Sequence, residues 1–309
     1  MYTNENNEDV ETIRSKFPSN EPIYIVLIII AILSTIGFAV LTILAILKRN
    51  HNSKDLFIFS NNFLIVNLIY SLASILNFSF EYNNKNYIYY DSNFLCMSQA
   101  FLLLFCSFSR DLWILFITII KYITIVGQKN IFDNYRFYFF LFCVIGYGVP
   151  LLGMLFFYFQ GKIGVAELDC WFIKIDKDDH SSKWYGTAFY IAKNIILAAV
   201  LILCIIIIRY LSKTLKLSSR ENKKEAFKFG AKTLAFPLIQ ILFAIVPLIY
   251  MILLDFVTKS EILGILTLIL ASAHGVIFPL IYLFTSDLLK AQTENENELM
   301  KAITIDVDE

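Results

Sequence analysis

Apolar residues gather along this chain in seven blocks, at about 23–47, 56–80, 94–126, 137–159, 185–210, 233–254 and 262–284. Each block is close to or above the roughly 20 residues that a helix needs to cross a hydrocarbon core. The expected fold class is an all-α membrane protein, a bundle of seven transmembrane helices. A tail over 1–22 precedes the blocks and a short tail over 285–309 follows them. The narrowest division is the stretch from Asp255 to Glu261, where three charged residues mark a tight turn between the sixth and seventh blocks.

The third block organises the others. From Cys96 to Val126 it carries Arg110-Asp111 near its middle and Lys121 towards its far end. As a helix it is about 45 Å long, more than the core requires, so both ends are expected to protrude. An arginine and an aspartate facing lipid at mid-bilayer would cost at least about a few kcal/mol each. This helix is therefore expected to be the central post of the bundle, surrounded by its neighbours.

Composition agrees with a polytopic membrane protein. Of 309 residues, 58% are hydrophobic and 17% charged, against about a quarter charged in soluble domains. The formal net charge is zero, and nothing in it points to nucleic acid. Residues 1–22 are polar and mixed in charge, unlike a signal peptide, so the first block is expected to serve as a signal anchor. Loop charges set the orientation. Segments 48–55, 127–136 and 211–232 and the tail from 285 hold fourteen Lys and Arg, against eight in the opposite set. The richer side is cytoplasmic, which places the N-terminus outside and the C-terminus inside. Most of the bias comes from the basic loop over 211–232, which includes Lys223, Lys224 and Lys228. Its first reading is a solvated charge run; its second is a docking surface for an acidic or lipid-facing partner.

Five cysteines divide by position. Cys106, Cys143 and Cys204 lie inside blocks and read as buried thiols. Cys96 and Cys170 alone fall on the outer side, where a disulfide between them is the natural pairing and two free external thiols the alternative. The intramembrane polar set is Asn67, Arg110, Asp111, Lys121, Lys193 and His274. Neighbours on a helix point about 100° apart, so Arg110 and Asp111 are each expected to find a partner on another helix. Asn67 and His274 lie at depths that suit Arg110. Lys193 lies about 14 Å along the fifth block, where it either lines a pocket for an anion or snorkels to lipid headgroups. Pro237 and Pro247 in the sixth block and Pro279 in the seventh free backbone carbonyls, and suit either a movable helix or simple packing. The three histidines are widely spaced, and no catalytic, cofactor or metal-ligand motif is present, so an enzyme is not expected.

Finer motifs carry a resemblance. The third block has Cys96-x-x-Gln99-Ala100 and then Trp113. Phe132 to Leu152 reads FDNYRFYFFLFCVIGYGVPLL. Cys170-Trp171 and Trp184-Tyr185 flank the start of the fifth block, and Gly275 precedes Tyr282 in the seventh. In this order they resemble the cyclic-AMP receptor and cAMP-receptor-like group of G-protein-coupled receptors from slime moulds, over about residues 25 to 285. Two departures stand out. Phe278 occupies the position where such receptors tend to carry asparagine, three residues after the glycine. The tail is also short and poor in serine and threonine, unlike that of the chemoattractant receptors.

The resemblance implies a plasma-membrane receptor that activates a heterotrimeric G protein in response to an extracellular small molecule, with cAMP one possibility. Lys193, with Lys183, Lys162 and Gln99, would then meet an anionic ligand. Asn67, Arg110, Asp111, His274, Pro247, Pro279 and Tyr282 would form the switch. Lys121-Tyr122, placed where rhodopsin-like receptors have Arg-Tyr, would face the G protein with Lys223, Lys224 and Lys228. A transporter, a channel or a ligand-less membrane scaffold is the alternative class. The odd number of blocks and the lack of an internal repeat argue against a transporter.

Overall fold

The computed structural model describes residues 21–47, 54–83, 93–128, 135–160, 163–165, 170–172, 180–217, 234, 237–243, 269 and 276–280. Its main elements are α1 (Glu21–Leu47), α2 (Lys54–Asn83), α3 (Asn93–Ile125), a fourth helix α4, the short strands β1 (Ile163–Val165) and β2 (Cys170–Phe172), and α5 (His180–Leu217). Helix α4 is α-helical over Tyr135–Cys143, π-helical over Val144–Gly148 and α-helical again over Val149–Phe159. Shorter helical stretches at 237–243 and 276–280 belong to the sixth and seventh apolar blocks.

Among the described residues, four stretches are long and apolar enough to cross a membrane: Ile25–Ile43, Met97–Ile125, Arg136–Phe159 and Ala188–Lys213. They differ in how much of their surface is covered. About two thirds of the α3 stretch is buried (67%), against 28% in α1 and 22% in both α4 and α5. α3 also packs against α2, α4, α5 and both strands, while α1 packs on α2. The outer helices expose isoleucine, leucine and phenylalanine on one face, including Ile36, Leu152, Phe159 and Ile195. Such a surface is stable only where the solvent is lipid.

Helix ends extend past the apolar blocks. α5 has 38 residues, about 57 Å at 1.5 Å each, so it reaches well beyond a core about 30 Å thick. Polar residues inside the spans satisfy themselves locally. The hydroxyls of Ser34, Thr35, Thr42, Ser74 and Thr118 each donate to the carbonyl one turn earlier in the same helix. That arrangement satisfies a hydroxyl in an apolar medium within its own helix.

The π turn in α4 has a covalent cause. Pro150 has no N–H to give to the Gly146 carbonyl, and its ring crowds that carbonyl. Widening the turn just before the proline relieves the clash and turns Gly146 and Tyr147 towards α2 and α3. Gly146 is buried there, and a Cβ on it would lie 3.1 Å from Phe116 Cε2 and 3.3 Å from Trp113 Cε2. The ring of Tyr147 packs 5.4 Å from that of Trp113, and its hydroxyl donates to Asn62 Oδ1 on α2 at 2.9 Å. Phe116 and Phe142 stack at 4.4 Å. Trp113, fully buried, thus stands at the centre of the main apolar core.

A second, smaller core lies near the start of α3. β1 and β2 pair antiparallel, with Ile163 opposite Phe172 and Val165 opposite Cys170. Ile163 is fully buried among Ala100, Leu104, Met154 and Phe189, so the hairpin is pinned by one side chain between α3, α4 and α5. The seventh block closes the bundle through Phe278, whose ring lies 4.8 Å from Phe63 and 6.5 Å from Phe38.

Candidate functional site

A charged cluster occupies the middle of α3, where its two thirds of buried surface leaves polar groups little access to solvent. Asp111 is 1% exposed. Its Oδ1 accepts a hydrogen bond of 2.9 Å from Gln240 Nε2, on the helical stretch of the sixth block. Its Oδ2 lies 3.3 Å from Lys193 Nζ on α5. Hydrogen-bond geometry is satisfied at Oδ1 and not at Oδ2, so Lys193 acts on Asp111 mainly through charge. The Lys193 ammonium also donates to Ser107 Oγ, one turn before Asp111, and sits 5.5 Å from the centre of the Phe189 ring. One carboxylate therefore joins three helices.

The spacing explains the convergence. Ser107 and Asp111 are four apart on α3 and share a face, and Lys193 bridges them. Phe189 is four residues before Lys193 on α5, on the same face, and its ring faces the lysine ammonium. On the sixth block Leu234, Pro237 and Gln240 are all buried at three-residue spacing, so Gln240 faces inward with the apolar side of its helix. Removing one partner from such a buried pair costs about 3–5 kcal/mol, because the other charge is left behind.

Arg110 has a different environment. Its guanidinium lies 5.2 Å from the centre of the Tyr70 ring on α2, a cation–π contact. Its Nε is 3.8 Å from Asp111 Oδ1, too long for a hydrogen bond, and is buried with no hydrogen-bond partner. Asn67 does not reach it: the Asn67 amide is 1% exposed and donates to the Phe63 carbonyl of its own helix at 2.8 Å. The Asn67 amide is occupied one turn back on its own helix.

The other sequence-selected residues distribute as follows. Gln99 is buried and donates across helices to the Ala73 carbonyl at 3.2 Å, fixing the start of α3 to α2. Lys121 and Tyr122, both partly buried, occupy the last turn of α3. The Tyr122 carbonyl accepts from the N–H groups of Val126 and Gly127, and the chain then turns through Gln128 with φ of 48°. A Cβ at Gly127 would lie 2.7 Å from the Ile123 carbonyl oxygen, so the turn requires glycine. From it Gln128 Nε2 donates to the Tyr210 hydroxyl on α5 at 3.1 Å. Pro279 is buried beside Phe278. His274, Pro247, Tyr282, Lys162, Lys223, Lys224 and Lys228 lie outside the described residues. So do the side chains of Cys96, Cys170 and Lys183, although the strand bearing Cys170 lies against α3.

Sequence reasoning overlooked Gln240, Ser107 and Tyr70. Gln240 left a faint signal, a lone amide inside an apolar block; Ser107 and Tyr70 left none beyond their helical phase. The family model for 7 transmembrane receptor (Secretin family) matches residues 20–278. No curated protein matches the chain.

Proposed function

The chain belongs to the secretin family of seven-transmembrane receptors, and from that premise we propose that it is a plasma-membrane receptor for an extracellular small molecule, coupled to a heterotrimeric G protein. Membership makes it a membrane-embedded receptor of the G-protein-coupled kind. The finer reading follows the motif resemblance to cAMP-receptor-like proteins: seven spans, N-terminus outside, and a Cys96–Cys170 disulfide holding the second outer loop over α3. The match over residues 20–278, nearly the whole bundle, is the observation that carries the receptor reading.

The switch is the Asp111 junction. Resting contacts hold α5 through Lys193 and the sixth helix through Gln240 on a single carboxylate. A ligand with an anionic group, steered by Lys162 and Lys183 and oriented near Gln99, competes with Asp111 for Lys193. Loss of that contact changes the relative energies of the two bundle states, and the ligand can shift them only by its differential affinity. The active state frees the sixth helix, which carries Pro237 and Pro247, to move away from α3. Lys121, Tyr122, Lys223, Lys224 and Lys228 then face the G protein, and Pro279 and Tyr282 complete the switch on the seventh helix. cAMP is one ligand of suitable charge. Nucleotide exchange on a co-reconstituted heterotrimeric G protein, with cAMP, folate and related anions added in turn, tests the reading. A ligand-dependent rise supports it, and a flat response across G-protein subtypes favours a scaffold or transporter.

A further inference from the structure

Helix α5 has two sharply divided faces. Val200, Cys204 and Ile207 are fully buried in the main core, while Ile195 and Ile202, on the opposite side, are exposed. Arg209 is exposed too. Ile195, Ile202 and Arg209 follow one another at intervals of seven residues, close to two full turns, so the arginine continues the lipid-facing row. Lys213, also exposed, is four residues further along the same face. Tyr210 points about 100° away from Arg209, and its hydroxyl accepts from Gln128 at the end of α3.

Exposure along that face also fixes depth. Exposed isoleucines run from Ile191 to Ile208, about 26 Å of helix, against a hydrocarbon core about 30 Å thick. Arg209 therefore stands at the edge of the apolar layer. Lys213 lies about 6 Å beyond it, at the level of phospholipid headgroups. The sequence of α5, from His180 to Leu217, contains no Asp or Glu to neutralise the two cations from their own helix.

We propose that Arg209 and Lys213 hold the headgroup of an anionic phospholipid whose acyl chain lies along Ile202 and Ile206. The two cations head a row of exposed apolar side chains. A lipid covers that row with its tail, whereas free phosphate would leave it bare. A headgroup with net negative charge fits two cations four residues apart better than a zwitterionic one, whose own ammonium they repel. In the orientation proposed above, the site faces the cytoplasmic leaflet, where anionic lipids concentrate. A lipid held there braces the end of α5 from outside the bundle, as the Gln128–Tyr210 bond holds it from inside. The site lies about 24 Å along α5 from Lys193, apart from the contact proposed for an agonist, and does not depend on the receptor reading.

The test uses the full-length protein in neutral detergent micelles, with dioleoyl phosphatidylserine or dioleoyl phosphatidylcholine added. The melting temperature is expected to rise saturably with phosphatidylserine and not with phosphatidylcholine. Combining R209Q with K213Q is expected to abolish that response. R136Q, which removes an exposed cation at the start of α4, eight residues after Gln128, is expected to keep it. Equal responses to the two lipids overturn the site, as does a phosphatidylserine response that persists in the double variant or that R136Q abolishes as fully. Inorganic phosphate is expected to have no effect, and a rise matching that of phosphatidylserine would overturn the lipid as occupant. Should the double variant not fold, the lipid that the wild-type protein retains from an equimolar mixture of the two decides instead. Phosphatidylserine retained about fivefold or more over phosphatidylcholine supports the site, and equal retention overturns it.

Discussion

Asp111 on α3 accepts a hydrogen bond of 2.9 Å from the side-chain amide of Gln240, 129 residues further along the chain. The same carboxylate lies 3.3 Å from Lys193 on α5. Three helices thus share one acidic group, and each contact can be removed separately.

Exchanging Asp111 for asparagine keeps the side-chain shape but leaves Lys193 without its acid. The expected loss is about 3–5 kcal/mol, read as a lower melting temperature in micelles. Pairing D111N with K193M removes both charges, and the double variant is expected to lose less than the sum of the two singles. Strictly additive losses would mean that the two groups do not interact.

Lys193→Gln separates structure from ligand contact. The change leaves Asp111 without its lysine, so a lower melting temperature is expected; compared at equal surface expression, the potency of an anionic agonist falls about tenfold or more, the equivalent of about 1.4 kcal/mol of lost binding. Unchanged potency at equal expression would take Lys193 out of the ligand site.

Gly146→Ala places a methyl 3.1 Å from Phe116 Cε2 and 3.3 Å from Trp113 Cε2. Rings packed on both sides leave little room for retreat, and a loss of about 1–3 kcal/mol is expected. A Cβ on Gly153 of the same helix would meet nothing within 4 Å, so Gly153→Ala is expected to be neutral or to stabilise by about 0.5–1 kcal/mol. Thermal denaturation of both variants compares them directly, and equal effects would contradict the close α3–α4 approach.

Phe278→Asn installs the residue that the resembling receptors tend to carry at this position. Here the side chain is 1% exposed and packs on the rings of Phe63 and Phe38. An amide would leave a cavity and an unpaired polar group, costing about 3 kcal/mol or more. Phe278→Leu is expected to cost less. A melting temperature unchanged by the asparagine would show that the slot has polar partners after all.

Much of the scaffold was legible because its cause is local. Continuous apolar length marks a span, and Arg110-Asp111 inside such a span demands burial, which α3 shows more than any other described span. The partners of those charges were not legible. Sequence gives the depth of a residue along its helix but not the rotation of one helix against another. Depth alone therefore pairs Asn67 with Arg110, although its amide folds back on Phe63. Depth along α5 suits Lys193 to a pocket or a headgroup and does not reveal that it meets Asp111. The π turn escaped for another reason: Pro150 after Gly146 and Gly148 signals a weakened helix, but the direction of the repair depends on Trp113 across the interface.

Helix α5 joins two contacts described at different levels of the bundle. Lys193 touches Asp111 in the middle of α3, and Tyr210, about 25 Å further along α5, meets Gln128 just past the end of α3. No break interrupts α5 between them. A continuous helix behaves as a stiff rod, and Gln128 sits on a turn that only a narrow backbone geometry permits. Tilting the rod at Lys193 therefore loads the Gln128–Tyr210 bond like the short arm of a lever. That exposed bond is therefore expected to change its geometry with any tilt of α5.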